Sequence, residues 1–238
     1  MYWRDIFCKL KNVATDMLWP PACILCRNYC CETVCKECKT KSHLFIGGSS
    51  FAGAQDSAQS CAPACRSIYA AGVYAGTYKD AVKDYKFHGQ LWIGKGLADI
   101  MFNMLLKQGI FDEPSCITYV PVSEKRFAER GFDQCEFMAK IIAEKAGVEC
   151  KKLLRRRTQG GTQSRFNRKE RLENSRDRFE CSTDSLKTKR IVDITDRIIL
   201  IDDILTTGAT LQECATVLSQ HGFKNIIGAV AATGRKDI

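Results

Sequence analysis

One stretch in the last fifth of the 238-residue chain constrains the fold more than any other. A wholly apolar run, Ile198 to Ile201, is followed directly by Asp202 and Asp203 and then by a turn rich in threonine and glycine. A short run without polar residues is typical of a central strand in a parallel sheet, which is buried on both faces. Because open α/β sheets bind ligands at the carboxyl ends of their strands, the sequence predicts a site at residues 202–210.

The turn at residues 206–210 is expected to bind a phosphate group. Backbone N–H groups of a glycine-containing turn, together with the positive end of the following helix, form an anion site. The two acidic residues before it can accept hydrogen bonds from vicinal hydroxyl groups and can help to hold Mg²⁺. A phosphate on one side and a diol on the other indicate a ribose 5-phosphate. The residues of this candidate site are Asp202, Asp203, Thr206, Thr207, Gly208, Ala209 and Thr210.

Strand-like and helix-like patterns alternate through residues 67–238. The expected strands cover residues 68–74, 117–122, 198–201 and 226–231. The expected helices cover residues 78–87, 95–107, 133–146 and 210–221. Alternation of this kind predicts an α/β fold, an open parallel sheet with helices on both faces.

The N-terminal part of the chain is rich in cysteine. Nine of the 14 cysteines precede residue 66, and Cys23-x2-Cys26 and Cys35-x2-Cys38 form two close pairs. Two such pairs can supply the four thiolates of a structural Zn²⁺ site, which would stabilise a segment with few apolar residues. Four thiolates also suit an iron–sulfur cluster.

The spacing leaves open which four cysteines bind the metal. Cys61-x3-Cys65 forms a third pair, and Cys30 and Cys31 lie between the first two pairs. A catalytic zinc is not expected, because four sulfur ligands leave no open coordination position.

The chain divides into three parts on these patterns. Residues 1–19 carry apolar side chains at helical spacing and are expected to form an amphipathic helix. Residues 20–66 are expected to form a cysteine-rich zinc ribbon, in which the small, polar residues 47–60 indicate a loop. Residues 67–238 are expected to form the α/β domain, interrupted by a basic segment at about residues 151–190.

The sequence also predicts the cellular compartment of the protein. The sequence has no run of roughly 20 apolar residues, so no membrane-spanning helix is expected. Arg4, Asp5 and Lys9 interrupt the first segment, which argues against a secretory signal peptide. We therefore expect a cytoplasmic protein, and in that reducing compartment clustered cysteines are typical of metal sites rather than disulfides.

The formal net charge of +9 is concentrated in one segment. Residues 151–171 contain nine Lys or Arg residues and a single Glu. Three interpretations stay open for this segment: a loop that closes over a phosphorylated ligand, a surface that binds the backbone of single-stranded DNA, and a solvated basic face.

Residues 198–210 resemble the 5-phosphoribosyl-1-pyrophosphate (PRPP) motif of type I phosphoribosyltransferases. That motif consists of hydrophobic residues, two acids and Thr-Thr-Gly-x-Thr, in the order found in this chain. The resemblance implies that Asp202 and Asp203 meet the ribose hydroxyls and that residues 206–210 surround the 5-phosphate.

Further segments, together with the cysteine ribbon, are similar to the ComF family, which is linked to competence and DNA uptake in transformable bacteria. They are Tyr119-Val-Pro-Val122, Arg126, Arg130-Gly-Phe-Asp-Gln134, Arg157-Thr158, Gln163, Arg168-x2-Arg171-x2-Asn174 and Phe179. Two positions depart from the family pattern. Asp133 stands where the family usually has Asn, and the third cysteine pair has x3 rather than x2 spacing.

The arginines after the second predicted strand complete the candidate site. We expect Arg126 and Arg130 to bind the pyrophosphate group of PRPP, because the planar guanidinium holds two phosphate oxygens at once. Two functions remain open at this point. The first is an Mg²⁺-dependent phosphoribosyltransferase that releases pyrophosphate. The second is a non-catalytic protein that senses PRPP and binds single-stranded DNA or a protein of the competence machinery.

Overall fold

A computed structural model describes most of the chain. The described residues are 21–42, 44–52, 64–113, 115–157, 178–182 and 197–234. The expected N-terminal helix at residues 1–19, Cys61 and most of the basic segment lie outside them. The chain divides into two compact units, Met1–Ser42 and His43–Ile238.

The smaller unit consists of tight turns and one short helix. Helix α1 (Lys36–Lys41) begins after Cys35, whose side chain caps it by accepting a hydrogen bond from the backbone N–H of Cys38. An antiparallel bridge joins Ala22 and Tyr29 across the first turn. Among the described residues of this unit, four apolar side chains are buried: Cys23, Ile24, Leu25 and Val34.

The described part of the larger unit contains eight strands. They are β1 (Leu44–Ala52), β2 (Ser67–Gly72), β3 (Ser115–Tyr119), β4 (Glu149–Cys150), β5 (Leu154–Arg156), β6 (Phe179–Cys181), β7 (Arg197–Leu205) and β8 (Ile226–Thr233). Six of them form one sheet in the order β1-β2-β8-β7-β3-β4, and β5 pairs with β6 in a separate two-stranded ribbon. In the part of the sheet ordered β2-β8-β7-β3-β4, every pair of neighbouring strands is parallel. Strand β1 pairs antiparallel with β2 at the edge. The predicted open parallel sheet is therefore confirmed.

Helices cover both faces of this sheet. They are α2 (Gly76–His88), α3 (Leu91–Lys107), α4 (Glu124–Arg130), α5 (Gln134–Ala146) and α6 (Ala209–Gln220). Helices α2, α3 and α5 contact the sheet on one face. On the other face, Ile198 and Leu200 of β7 share a buried apolar core with α6 and with the β5–β6 ribbon. None of the described helices is long and apolar enough to cross a bilayer.

One expectation is wrong. Residues 47–52 are part of the loop that the sequence predicts within the cysteine-rich zinc ribbon. In the structure they belong to β1, which pairs with β2 along the sheet edge. Backbone hydrogen bonds to an existing strand hold an extended segment even where its side chains lack a strand-like apolar pattern. The larger of the two compact units begins at His43 and includes β1.

The direction in which successive strands are added to the sheet reverses between β3 and β7, at the centre of the sheet. From β3 it continues through α5 to β4 on one side, and from the neighbouring β7 it continues through α6 to β8 on the other. Such a reversal leaves a crevice between the carboxyl ends of the two strands, which is where open α/β sheets bind ligands.

Candidate functional site

The predicted acid pair lies in the last part of β7, at this crevice. Asp203 is buried, and its Oδ2 lies 2.6 Å from the ammonium nitrogen of Lys86. The same oxygen accepts a hydrogen bond of 3.0 Å from the side-chain amide of Gln134. Asp203 is thus held as a paired carboxylate at the end of the strand.

Asp202 has a different environment. Its Oδ1 accepts a 2.8 Å hydrogen bond from the backbone N–H of Asp203 and a 3.6 Å hydrogen bond from the thiol of Cys135. Burial raises the pKa of Asp202 to about 7, and the neighbouring charge of Asp203 adds to the shift. A cation bound beside Asp202 would favour its ionised form, because opposite charge lowers the pKa of a carboxyl group.

The raised pKa of Asp202 predicts a pH-dependent stability. The native state holds this proton up to about pH 7, whereas the unfolded chain releases it near the ordinary value of 3.8. The resulting stabilisation of the native state is fully present below pH 3.8, and it is lost as the pH rises through about 7. Asp202→Asn should therefore unfold with a free energy about 2 kcal/mol larger than wild type at pH 8, and the difference should vanish near pH 4. Urea unfolding across this range measures it, and a pH-independent difference would contradict the assignment.

Lys86, on the last turn of α2, was not singled out from the sequence. Its side chain is 15 % exposed and that of Asp203 is 11 % exposed, so the ion pair is mostly removed from water. Lys86→Met would leave the Asp203 carboxylate buried without its cation, and we expect a loss of about 3 kcal/mol in the free energy of unfolding. Denaturant titration measures this loss.

Two further variants make that measurement specific. Lys83→Met changes an exposed lysine on the same helix and should cost less than about 0.5 kcal/mol. Adding Asp203→Asn to Lys86→Met should recover part of the loss, because no unpaired charge is then buried. If the double variant lost more free energy of unfolding than the losses of the two single variants added together, the ion pair would not be the cause.

The first turn of α5 connects the ends of the two strands. Asp133 caps this helix, and its Oδ1 accepts from the backbone N–H groups of Cys135 and Glu136 at 2.9 and 3.1 Å. Its Oδ2 accepts from the N–H of Val122, three residues beyond the end of β3, at 3.0 Å. The next residue, Gln134, donates to the acid pair on β7. One helical turn therefore holds the ends of β3 and β7 beside each other.

These contacts account for aspartate at a position where the ComF pattern has asparagine. All three partners of the Asp133 side chain are backbone N–H donors, and they approach both of its oxygens. A carboxylate accepts on both sides, whereas an amide accepts on one and donates on the other. The aspartate here is a structural cap that joins two strand ends.

The turn after β7 leads into a helix, as the sequence predicted. Gly208 adopts φ +88° and forms the N-cap of α6, a left-handed conformation that favours glycine. Thr206, Thr207 and Ala209 are exposed, and Gly208 is buried. The N–H of Ala209 donates to the hydroxyl of Thr207 at 3.3 Å. The turn thus presents its threonine side chains at the positive end of a three-turn helix.

Both predicted arginines lie on α4, after the end of β3. Arg126 is exposed on the first turn, and Arg130 is the last residue of the helix. The guanidinium of Arg130 lies over the Phe87 ring at 5.3 Å, and its Nη1 is buried without a hydrogen-bond partner in the described part of the chain. Their contact with a pyrophosphate group stays a prediction.

The four cysteines of the two close pairs form a candidate metal centre in the smaller unit. The sulfurs of Cys23, Cys26, Cys35 and Cys38 all lie within 4.8 Å of one another. The sulfurs of Cys26 and Cys35 are 3.8 Å apart. Sulfurs bound tetrahedrally to zinc at about 2.3 Å lie about 3.8 Å apart, so the four thiols can hold a zinc ion.

The environment of these sulfurs also suits a metal. The backbone N–H of Cys35 points at the Cys23 sulfur, and the N–H of Cys38 points at the Cys35 sulfur, both at 3.4 Å. Burial and the neighbouring thiols raise the pKa of Cys38, since several thiolates at one place repel one another. A bound cation removes that repulsion.

The structure distinguishes this group from the other cysteines of the region. Cys30 and Cys31 lie outside the described cluster. Cys65, proposed as part of a third pair, is fully buried in the core of the larger unit, where its thiol donates to the Ser67 carbonyl at 3.4 Å. Burial raises the pKa of Cys65 to about 12, which disfavours the thiolate that a metal needs.

The acid pair and the glycine turn therefore lie at the carboxyl end of a central strand in an open parallel sheet, and a cluster of four cysteines precedes this sheet in the chain. Two solved structures are similar to the chain. One is described as the structure of the allosteric regulatory enzyme of purine biosynthesis, with TM-score 0.41 and 15 % identity over 63 % of this chain and 30 % of that one. The other is glutamine PRPP amidotransferase from B. subtilis complexed with ADP and GMP, with TM-score 0.41 and 13 % identity over the same shares.

Two curated proteins confirm the narrower resemblance to the ComF family. Competence protein ComFC of Streptococcus pneumoniae is 34 % identical over 154 residues, which is 63 % of this chain and 62 % of that protein. Competence protein F of Haemophilus influenzae is 25 % identical over 149 residues, 61 % of this chain and 63 % of that protein. The chain therefore matches less than two thirds of the length of either relative. No family model matches the chain.

Proposed function

We propose that the chain binds PRPP together with Mg²⁺ in the crevice between the ends of β3 and β7. The observation that carries this proposal is the acid pair Asp202–Asp203 directly before the glycine turn at residues 206–210. The carboxylates would accept hydrogen bonds from the two ribose hydroxyls, and the turn would surround the 5-phosphate. Asp202 would also be available to hold Mg²⁺ or a water molecule bound to it.

The contacts behind the acid pair favour this role. Lys86 and Gln134 bind the same oxygen of Asp203, which fixes the direction of that side chain. The other amide atom, Oε1 of Gln134, is buried and has no partner in the described part of the chain. A pre-positioned carboxylate with an unused acceptor beside it suits a ligand that carries two hydroxyl donors.

We further propose that a phosphoribosyl group is transferred from PRPP. In that reaction the bond between C1 of ribose and the pyrophosphate oxygen breaks, and C1 forms a bond to the acceptor. The pyrophosphate leaves with the bonding electron pair while positive charge develops on the sugar. Mg²⁺ and the arginines on α4 would stabilise the departing anion.

Release of pyrophosphate is the experiment that tests transfer. The full chain is incubated with PRPP, Mg²⁺ and a panel of nucleobases and amines, and free pyrophosphate is followed. We expect release with at least one acceptor and none from the variant that combines Asp202→Ala with Asp203→Ala. PRPP binding without release from any acceptor would instead favour a non-catalytic PRPP sensor.

We also propose a role in competence and DNA uptake, and the names of the two relatives, both competence proteins, support the competence part of it. Expression of this chain in a Streptococcus pneumoniae strain that lacks ComFC tests that role. We expect partial recovery of transformation by the wild-type chain and no recovery by Asp202→Asn. Recovery by both chains would separate competence from the PRPP site.

A further inference from the structure

The ribbon of β5 and β6 presents its arginines on two different faces. Arg155 pairs in register with Glu180, and its side chain lies 3.0 Å from the Glu180 carboxylate. Side chains alternate along a strand, so the next residue, Arg156, points to the opposite face. That face carries Leu154 and Phe179, which belong to the buried core on the α6 side of the sheet.

Arg156 is held in a fixed position at the end of β3. Its Nε donates a 3.0 Å hydrogen bond to the carbonyl of Pro121, and its guanidinium lies 4.8 Å from the centre of the Phe179 ring. Within the described residues, no carboxylate forms a salt bridge with it. The hydrogen bond at Nε leaves the two terminal amino groups of the guanidinium as further donors.

The surroundings of Arg156 have an excess of positive charge. Burial lowers the pKa of Arg156, and the charges of Arg178 and Arg126 lower it further. Glu213 of α6 is also near, but Arg178 already binds it with two side-chain hydrogen bonds of 3.0 and 2.7 Å. A half-buried guanidinium that is close enough to two other arginines to be affected by their charges is an environment in which an anion binds favourably.

We propose that Arg156, together with Arg126, binds the pyrophosphate group of PRPP and distinguishes PRPP from ribose 5-phosphate. This inference rests on the proposed function. It assigns to the pyrophosphate group of PRPP a residue that the sequence motifs did not single out. The contact with Pro121 places the guanidinium at the end of β3, whereas the expected 5-phosphate turn follows β7. The two ends of the ligand would then lie on the two sides of the crevice.

Binding of three ligands in the presence of Mg²⁺ tests the inference: PRPP, inorganic pyrophosphate and ribose 5-phosphate. Calorimetric titration compares the wild-type chain with Arg156→Met, Arg156→Lys and Arg155→Met. We expect Arg156→Met to weaken PRPP and pyrophosphate about 10- to 100-fold, the value for loss of hydrogen bonds to a charged group. Ribose 5-phosphate should bind Arg156→Met as it binds wild type.

The control variants separate the causes. Arg155→Met removes a charge from the other face of the same strand and should leave all three affinities unchanged. Arg156→Lys keeps the positive charge but loses the planar guanidinium, so we expect affinities for PRPP and pyrophosphate between those of wild type and Arg156→Met. This variant tests the contact with pyrophosphate even if Arg156→Met folds poorly.

Two results would overturn the inference and leave the proposed function intact. One is PRPP binding by both Arg156 variants at wild-type strength, and the other is an equal loss of PRPP and ribose 5-phosphate affinity. Failure of the wild-type chain to bind either sugar phosphate would overturn the proposed function itself.

Discussion

Combining Asp202→Asn with Asp203→Asn is expected to weaken the binding of PRPP with Mg²⁺ by at least about 100-fold. The two carboxylates lie together near the end of β7, shortly before the glycine turn. Neutral amides hold Mg²⁺ poorly, since hard cations favour charged oxygen ligands. Calorimetric titration of the purified chain measures the change.

The design of this experiment must separate binding from folding. Asp203→Asn alters the partner of Lys86, so it carries a risk for stability. Asp202→Asn alone avoids that risk, because the native state already favours the uncharged side chain up to about pH 7. Asp80→Asn, at an exposed carboxylate of α2, is the matched control and should bind as wild type does. Wild-type affinity in the Asp202→Asn variant and in the double variant would exclude the acid pair from the site.

Cys26→Ser is expected to release the metal and unfold the smaller unit. Few apolar side chains are buried in the described part of that unit, so the free energy of metal binding, on the order of 10 kcal/mol, would supply most of its stability. Elemental analysis of the purified chain measures the loss, and we expect about one zinc per wild-type chain. The α/β unit has its own core and should keep its thermal unfolding transition.

The neighbouring cysteine provides the control for this variant. Cys31 is exposed and lies outside the cluster, so Cys31→Ser should retain the metal. Iron with visible absorbance in place of zinc would identify an iron–sulfur cluster. Absence of any metal from protein purified without chelators would contradict a metal centre at these thiols.

The elements predicted correctly from the sequence are those whose signals are local. The apolar run at 198–201 marks β7, and the glycine after it marks the start of α6, because each depends on residues close in the chain. The spacing identified the two close cysteine pairs, since a tight turn brings the members of each pair together wherever the rest of the chain lies. That these two pairs come together in one cluster required the structure.

Features that depend on distant contacts were missed. Strand β1 is defined by its pairing with β2, and its own residues gave no strand pattern. Lys86 pairs with a carboxylate more than a hundred residues away, so nothing around it in sequence distinguishes it from a surface lysine. The same holds for Arg156, which sits in a run of three arginines. The alternation of side chains along a strand was the one signal that separated it from its neighbours.

Equilibrium binding of PRPP to the wild-type chain tests the central claim most directly. In the presence of Mg²⁺ we expect saturable binding of one PRPP per chain, displaced competitively by ribose 5-phosphate and weakened when Mg²⁺ is removed. No saturable binding of PRPP by folded, metal-replete protein would contradict the claim that the acid pair and the glycine turn form a phosphoribosyl site.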